Sequence, residues 1–421
     1  MIPTSPPRGT QDLLTPVGGQ MRALYDRAAT LAGRHGYRYV ETPGFEATEL
    51  FAATAGETSD VVAKEMYTFQ DRGERWLTLR PEGTAPVMRA YLDRHQELGA
   101  PYKSYYLTRM YRYARPQAGR YREHRQFGVE VFGTEAPAAD VEVMVLGDRY
   151  LRDLGIAAYE VQVNSIGDET CRPAYREELT AYLATHRDEM TDEHRDRFAA
   201  NPLRVLDCKD AACRAVAAGA PRITERLCEA CASHFAAVLE GLGAAGVAAE
   251  VTPTLVRGLD YYTRTAFEFV ATGLSSQQGT LFGGGRYDGL AEALGGPRVP
   301  GVGFGMGLER VLLALEGEGV VPPSEPPLGV YVVGVGDGGA QVGALVTALR
   351  EAGVAADAAF EDRPVKAQMK QADRAGAVFA AILGDREVAE GTVTLRRMAD
   401  GEQASVPVGD LADRVRAEVG G

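Results

Sequence analysis

No apolar run in this 421-residue sequence approaches the ~18 residues that a membrane-crossing helix needs. The opening residues, MIPTSPPRGTQDLL, hold no apolar core of the kind that drives secretion, so no signal peptide is expected and the chain is assigned to the cytoplasm. Cysteine is scarce, and five of them, an odd number in a long chain, argue against a secreted disulfide scaffold. Several catalytic signatures are missing: a G-x-S-x-G nucleophile elbow, an H-E-x-x-H metal pair and a G-x-x-x-x-G-K-[ST] phosphate loop. Any nucleotide must therefore be held by arginines and strands. Positive charge is in deficit, with 45 Lys and Arg against 58 Asp and Glu, a net charge of −13. That balance argues against non-specific nucleic-acid binding by the surface at large, because phosphate contact needs clustered cations. The remainder is ordinary globular material, 45% hydrophobic and 24% charged. Its length suits two to four domains at ~150 residues each.

Helical spacing of Met21, Leu24, Tyr25, Ala28, Leu31 and Ala32 after Thr15 and Pro16 predicts a first helix. GYRYVETPGFE predicts a strand ending at Pro43. WLTLRPEGT predicts a strand running into a Pro-Glu-Gly turn, with a helix from about Ala85 to Arg94. YKSYYLTRMYRYAR and HRQFGVEVFG predict the two strands of a long hairpin around PQAGRYRE. A helix from Asp140 to Leu154 and the strand YEVQVNSIG follow. Residues 171 to about 246 are Ala-rich, charged and strand-poor, and read as a helical insertion. Strands resume at Thr252 and run through FEFVATG and GTLFGGGRYDGL, and the Gly-rich VPGVGFGMGLERVLLALE closes the region as a helix beginning near Gly307. Four prolines in GEGVVPPSEPP mark a linker, and strand then alternates with helix in a compact α/β domain.

One segment reverses the global charge. Lys103, Arg109, Arg112, Arg115, Arg120, Arg122 and Arg125 face a single acid, Glu123, and Tyr105, Tyr106, Tyr111, Tyr113 and Tyr121 are interleaved with them. Arginine supplies the charge for a phosphate, and aromatic rings supply a surface for stacking a base. A second cluster, LVRGLDYYTRTAFEF, sets Arg257 and Asp260 beside Tyr261 and Tyr262 at the mouth of a strand. Arg80, Glu82, Thr84, Arg112, Arg120, Gln126, Glu130, Arg257, Tyr262, Tyr287 and Arg310 fall almost entirely on predicted strands, strand ends or turns, with no covalent nucleophile among them. Phosphoryl or nucleotidyl transfer, done by positioning and charge, uses such a set.

Two further motifs carry weaker signals. Gly334, Gly336 and Gly339 form G-x-G-x-x-G between a strand and a helix, with Asp357 beyond, which is the dinucleotide-binding pattern. Asp337 inside that loop would repel a pyrophosphate, and the domain is small for a dehydrogenase. Cys208, Cys213, Cys228 and Cys231 could hold a structural zinc. The C-x4-C half is loose, however, and cysteine is often simply buried, so no metal is expected.

Together these segments resemble the histidyl-tRNA synthetases, a family of class II aminoacyl-tRNA synthetases. TLRPEGTAPVMRA, the hairpin from Tyr111 to Gly133, LVRGLDYYTRTAFEF, GGGRYDGL and GVGFGMGLERVLL match that family's motifs in order, over nearly the whole chain. The resemblance implies an α+β catalytic domain (1–325) built on an antiparallel sheet, with a helical insertion at 171–250, and a C-terminal α/β anticodon-binding domain (328–421). GYRYVETPGFE resembles the first class II motif, which implies a homodimer built around Pro43.

The implied reaction activates L-histidine with ATP, used with Mg2+ as the substrate complex, to histidyl-adenylate with release of pyrophosphate, and passes the histidine to the 3′ end of its tRNA. The resemblance assigns Glu82, Gly83, Thr84 and Gln126 to the amino-acid α-amino group and its surroundings. Glu130, with Tyr262 and Tyr287, goes to the imidazole, Tyr261 to the histidine pocket, and Arg112 and Arg257 to the reacting carboxylate and α-phosphate as the catalytic pair. Arg120, His124 and Arg310, with Arg112, are assigned to ATP. Ala114 stands where the family has glutamate, and His124 where many relatives have phenylalanine; both positions are expected near the adenine. Arg115, Gln117 and Arg122 on the hairpin, and Lys366, Lys370 and Arg374 along one helix face in VKAQMKQADRAGA, are expected to meet tRNA. A paralogue without catalysis, the regulatory subunit of ATP phosphoribosyltransferase, is the alternative. That family generally lacks the last domain and erodes the histidine motifs, and this chain keeps both.

Overall fold

The strand Gly301–Gly307, GVGFGMG, alternates glycine with Val302, Phe304 and Met306, and this alternation organises the first part of the molecule. Successive side chains of a strand point to opposite faces. Its neighbour Glu123–Phe132 alternates in step: Phe127, Val129 and Val131 share a core with Val302, Phe304 and Met306. Phe267 and Phe269 continue that face. Four helices cover it, Val17–Arg34, Pro137–Asp153, Glu229–Ala244 and Leu308–Gly317, through residues such as Leu24, Val143, Val238 and Val311. Each such side chain contributes ~1.5–3 kcal/mol when fully buried. The opposite face therefore carries Gln126, Glu130 and the glycines.

The computed structural model describes residues 4–55, 65–195, 198–199, 201–208, 210–256, 261–274 and 279–419. They fall into two units, Met1–Ser324 and Glu325–Gly421. The first unit is built on an eight-stranded sheet in the order Arg38–Tyr39, Tyr102–Tyr111, Glu123–Phe132, Gly301–Gly307, Thr280–Arg286, Thr263–Ala271, Tyr159–Ser165, Ala249–Val251. The outermost pair at each edge is parallel and every other pair is antiparallel. The sequence predicts Gly301–Gly307 only as a Gly-rich approach to a helix. It is a full strand, paired residue by residue with Val131, Glu130 and Gly128 through Val302, Gly303 and Gly305.

The expected strand GYRYVETPGFE divides in two. Arg38–Tyr39 joins the large sheet, while Phe45–Ala47 joins a three-stranded sheet with Trp76–Leu79 and Tyr67–Gln70. Between them Pro43 has no N–H to give a ladder. The buried Arg80 guanidinium takes the carbonyls of Thr42 at 2.7 Å and Pro43 at 2.9 Å. Arg80 is thus a structural pin rather than a wall of the pocket. After Trp76–Leu79 the chain turns through Pro81-Glu82-Gly83 into the helix Thr84–Leu98.

The insertion runs through helices Arg172–Thr185, Ala211–Ala218 and Glu229–Ala244, with shorter turns between. Tyr175, Leu179, Leu183, Val205, Val216 and Ile223 share one core with the pocket-side helix residues Val87, Met88 and Tyr91. Its last helix belongs instead to the core beneath the sheet.

The second unit holds a five-stranded sheet in the order Ala356–Ala358, Val330–Gly334, Phe379–Leu383, Thr392–Arg397, Gln403–Pro407. The first three strands are parallel and the last two antiparallel. No described helix in either unit is long and apolar enough to cross a membrane.

Candidate active site

The pocket opens on the glycine face of the large sheet, a cavity of about 340 Å³. Glycine is required there by contact. A Cβ on Gly303 would lie 2.0 Å from Glu130 Oε2, and one on Gly305 would lie 2.3 Å from Gln126 Nε2. The glycines of the strand are the space into which its neighbour's polar side chains fold.

At one end the Pro-Glu-Gly turn delivers Glu82 to the first turn of the helix Thr84–Leu98. Its carboxylate accepts the backbone N–H of Thr84 at 2.7 Å and of Ala85 at 3.0 Å, two donors that a helix start leaves unpaired. Burial raises the Glu82 carboxyl above its ordinary range, against the pull of those N–H groups and of Arg112.

Glu130 lies deeper, fully buried behind the cavity wall. Thr84 Oγ1 donates to Glu130 Oε1 at 2.8 Å, and the Tyr287 hydroxyl donates to Oε2. Burial pushes the Glu130 carboxyl up to about 8, although the hydrogen bonds from Tyr287 and Thr84 pull the other way. Tyr261, Tyr262 and Tyr287 pack together above it, with ring centroids 4.8, 5.6 and 6.2 Å apart. Burial raises the Tyr106, Tyr261 and Tyr287 hydroxyls well above their usual range, so all three are neutral donors. Tyr106, which the sequence reading left out of the pocket, donates to Gln126 Oε1 at 3.3 Å and lines the cavity.

The other end is cationic. Arg112, Arg120, His124 and Arg310 all line the cavity, as does Ala114. Arg112 donates to the Pro81 carbonyl at 2.7 Å, and Arg310 to the carbonyls of Thr280 and Gly119. Neither forms an ion pair among the described residues, whereas Arg120 meets Glu65 at 2.7 Å. Burial, then Arg112, Arg310 and Arg120, drive the His124 imidazole down to about 3. It is a neutral ring among three guanidinium groups.

Of the residues assigned from sequence, Glu82, Gly83, Thr84, Arg112, Arg120, His124, Gln126, Tyr261, Tyr262 and Arg310 share this one cavity. Glu130 and Tyr287 form the layer behind it. Arg257 and Asp260 lie outside the described residues. On the hairpin, Arg115 is exposed and Gln117 half-buried. Arg122 is half-buried, stacked 3.8 Å over the exposed Tyr113 ring with its Nε on the Ala114 carbonyl. Lys366, Lys370 and Arg374 are exposed along the helix Val365–Arg374, whose other face buries Gln368 and Ala372.

Other residues the sequence did not single out brace the site. Arg286 is fully buried and paired with Asp140 at 2.5 Å and Asp288 at 3.0 Å, which fixes the strand end that carries Tyr287. Glu309 accepts the Arg125 backbone N–H at 2.9 Å and so ties the hairpin to the helix that carries Arg310. The G-x-G-x-x-G segment is braced in a different way: the Asp385 carboxylate takes the Gly338 N–H at 3.3 Å, where a dinucleotide phosphate would have to sit. Cys208, Cys213, Cys228 and Cys231, which the spacing offers as one set, do not converge. Cys208 and Cys213 lie with His194, and Cys228 and Cys231 with Asp168 and Cys171, because the C-x4-C pair leads into the short helix Ala211–Ala218 while the C-x-x-C pair opens Glu229–Ala244.

A largely antiparallel sheet with a glycine-lined face, carboxylates and hydroxyls at one end and arginines at the other, defines a class II aminoacyl-tRNA synthetase. Residues 9–311 match the family model described as histidyl-tRNA synthetase, and residues 329–418 match that of the anticodon binding domain. A histidine–tRNA ligase from Moorella thermoacetica is 49% identical over 416 residues, covering 98% of each chain. One from Rhodococcus erythropolis is 48% identical over 419 residues, 98% of this chain and 97% of that one. The crystal structure of apo histidyl-tRNA synthetase from S. aureus aligns at a TM-score of 0.81 with 36% identity, over 99% of this chain and 100% of the other. The chain belongs to the histidyl-tRNA synthetase family.

Proposed function

We propose that this cavity activates L-histidine with ATP, presented as its magnesium complex, and that the chain passes the activated histidine to the 3′-terminal ribose of tRNA. The observation that carries the reading is the buried Glu130 network beside an arginine cluster in one cavity. Imidazole has one nitrogen that donates and one that accepts. Glu130 can serve either, accepting as a carboxylate or donating as an acid, and Tyr106, Tyr261 and Tyr287 supply neutral hydroxyls around it. An apolar isostere would leave these buried groups unpaired, a discrimination on the order of 10⁴ or more. An amino acid selected in this way requires no editing site.

We assign the α-ammonium to Glu82, Thr84 and Gln126, which line the same cavity as Arg112, and the carboxylate then faces Arg112. The triphosphate then lies among Arg112, Arg120 and Arg310, and the neutral His124 ring is free to stack on the purine without adding charge. We assign Arg257 to the same carboxylate and α-phosphate. The histidine carboxylate oxygen attacks the α-phosphorus, the bond to the β-phosphate bridging oxygen breaks, and pyrophosphate leaves. The guanidinium groups stabilise charge on the equatorial oxygens. In the second step the ribose hydroxyl attacks the acyl carbon and AMP departs.

The same proposal gives tRNA contact to Arg115 and Gln117 at the hairpin tip and to the Lys366, Lys370 and Arg374 stripe. It also gives a cytoplasmic homodimer meeting around Pro43, where Tyr39, Phe45, Phe69 and Trp76 are exposed aromatics. The regulatory-subunit alternative is disfavoured by the intact pocket and by the full-length matches to histidine–tRNA ligases. Histidine-dependent exchange of labelled pyrophosphate into ATP tests the reading. Purified chain that exchanges only when histidine is present supports it, and folded chain with no exchange in magnesium buffer overturns it.

A further inference from the structure

The second feature of chemical interest lies away from the pocket. Asp168 and Cys171 sit in the loop after the strand Tyr159–Ser165, while Cys228 caps and Cys231 opens the helix Glu229–Ala244. The three Sγ atoms and a carboxylate oxygen of Asp168 all lie within 4.8 Å of one another. Asp168 Oδ1 is 3.6 Å from Cys171 Sγ and 3.9 Å from Cys228 Sγ. A tetrahedral zinc with Zn–S of about 2.3 Å and Zn–O of about 2.0 Å has S···O edges of about 3.5 Å and S···S edges of about 3.8 Å. The two S···O edges, 3.6 and 3.9 Å, lie within about 0.4 Å of that polyhedron, and the 4.8 Å limit on the remaining edges leaves a short inward movement for the ion to complete it.

The surroundings fit as well. Cys231 and Cys171 are buried, whereas Asp168 and Cys228 are half-buried and leave a way in. Gly167 stands at φ +66°, and a Cβ there would come within 2.7 Å of Cys171 Sγ, so glycine is what lets the sulfur turn inward. The Asp168 backbone N–H points at the same sulfur, 3.5 Å away. Three thiolates and a carboxylate around a divalent ion leave a charge of −2. Arg264, 3.5 Å from Asp168 Oδ2, and the positive end of a 16-residue helix stand beside it.

We propose that Asp168, Cys171, Cys228 and Cys231 form a tetrahedral structural zinc site. Binding releases three thiol protons to solvent and makes three Zn–S bonds and one Zn–O bond, with no redox change. Soft thiolates with one hard oxygen favour zinc over magnesium or calcium. The ion links the start of the insertion to the start of its last helix, 60 residues away, and closing so long a loop restricts the unfolded chain strongly. It also steadies the pocket. Arg172, next to Cys171, donates to the Ile166, Gly167 and Tyr262 carbonyls at 3.1, 3.0 and 2.6 Å, so this loop holds the backbone of a pocket tyrosine.

The test titrates cobalt(II), then zinc(II), into the full-length chain after chelator treatment under reducing conditions. The expected result is thiolate-to-cobalt charge-transfer absorption with tetrahedral d–d bands, displaced by zinc. Both are lost in Cys171→Ser and Cys228→Ser and retained in Cys213→Ser. Zinc should also raise the thermal midpoint of the wild-type chain in a concentration-dependent way, a readout that stands even where a cysteine variant fails to fold. Removing the ion should raise KM for histidine several-fold more than KM for ATP. Folded wild-type chain that shows no thiolate–cobalt bands overturns the proposal. So do bands that persist in both Cys171→Ser and Cys228→Ser and vanish in Cys213→Ser.

Discussion

Replacing Glu130 by glutamine tests whether the buried carboxyl at the base of the pocket holds a proton. Glu130 is fully buried, receives hydrogen bonds from Thr84 and Tyr287, and is pushed up to about 8 by burial. In the unfolded chain the same carboxyl titrates near ~4.3 to 4.5. The folded state thus binds the extra proton, and stability falls as pH rises between the two values. The contribution is fully present below the unfolded pKa and is lost as pH passes through the folded one. Between pH 5 and pH 8 linkage predicts a loss of roughly 3 kcal/mol in the ligand-free wild-type chain, at ~1.36 kcal/mol per pH unit. Glu130→Gln keeps the shape and an oxygen acceptor but cannot ionise. The wild-type minus variant difference in urea unfolding free energy should therefore shift by that amount in favour of the variant across the range. A protonated-carboxyl stretch in infrared difference spectra, present in wild type at pH 6 and absent in the variant, supplies an independent check. A stability difference that stays flat from pH 5 to pH 8 would refute the reasoning.

Three further experiments probe other parts of the account. Gly303→Ala places a Cβ 2.0 Å from Glu130 Oε2, and should raise KM for histidine at least ~10-fold with little change for ATP, as read by pyrophosphate exchange; equal changes for both substrates would contradict a local clash. Arg115→Ala or Gln117→Ala should lower the rate of tRNA charging more than that of adenylate formation, and equal losses would remove the hairpin tip from tRNA contact. Lys370→Glu with Arg374→Glu should weaken tRNA binding and flatten its salt dependence by about one unit of slope per lost phosphate contact, with exchange unchanged; an unaltered salt slope would show that the stripe is only a solvated helix face.

The motifs were legible in the sequence where function and geometry share a short segment. PEGT is a helix start whose first acid meets the free N–H groups, and Glu82 does so. Gln126 and Glu130 are four residues apart on a strand and so share a face. What stayed hidden depends on partners distant in the chain. The glycines of GVGFGMG look like a flexible run until Gln126 and Glu130 are seen to fill the space beside them. Tyr106 reaches the cavity through the register of the hairpin, which a single sequence does not state. Arg286 reads as one more basic residue in GGGRYDGL, and its burial follows from Asp140, 146 positions away. The cysteines carry the same lesson: the C-x-x-C pair is evident, but its neighbours Asp168 and Cys171 lie 60 positions earlier in the chain.

The central claim is that one cavity selects the imidazole of histidine by pairing its buried polar groups and activates the neighbouring carboxylate with ATP. Pyrophosphate exchange measured with histidine and with a panel of the other amino acids at saturating ATP tests it most directly. The account predicts exchange with histidine and a kcat/KM lower by on the order of 10⁴ for apolar and similarly shaped competitors. Comparable exchange with any other amino acid, or none with histidine from folded protein, would contradict it.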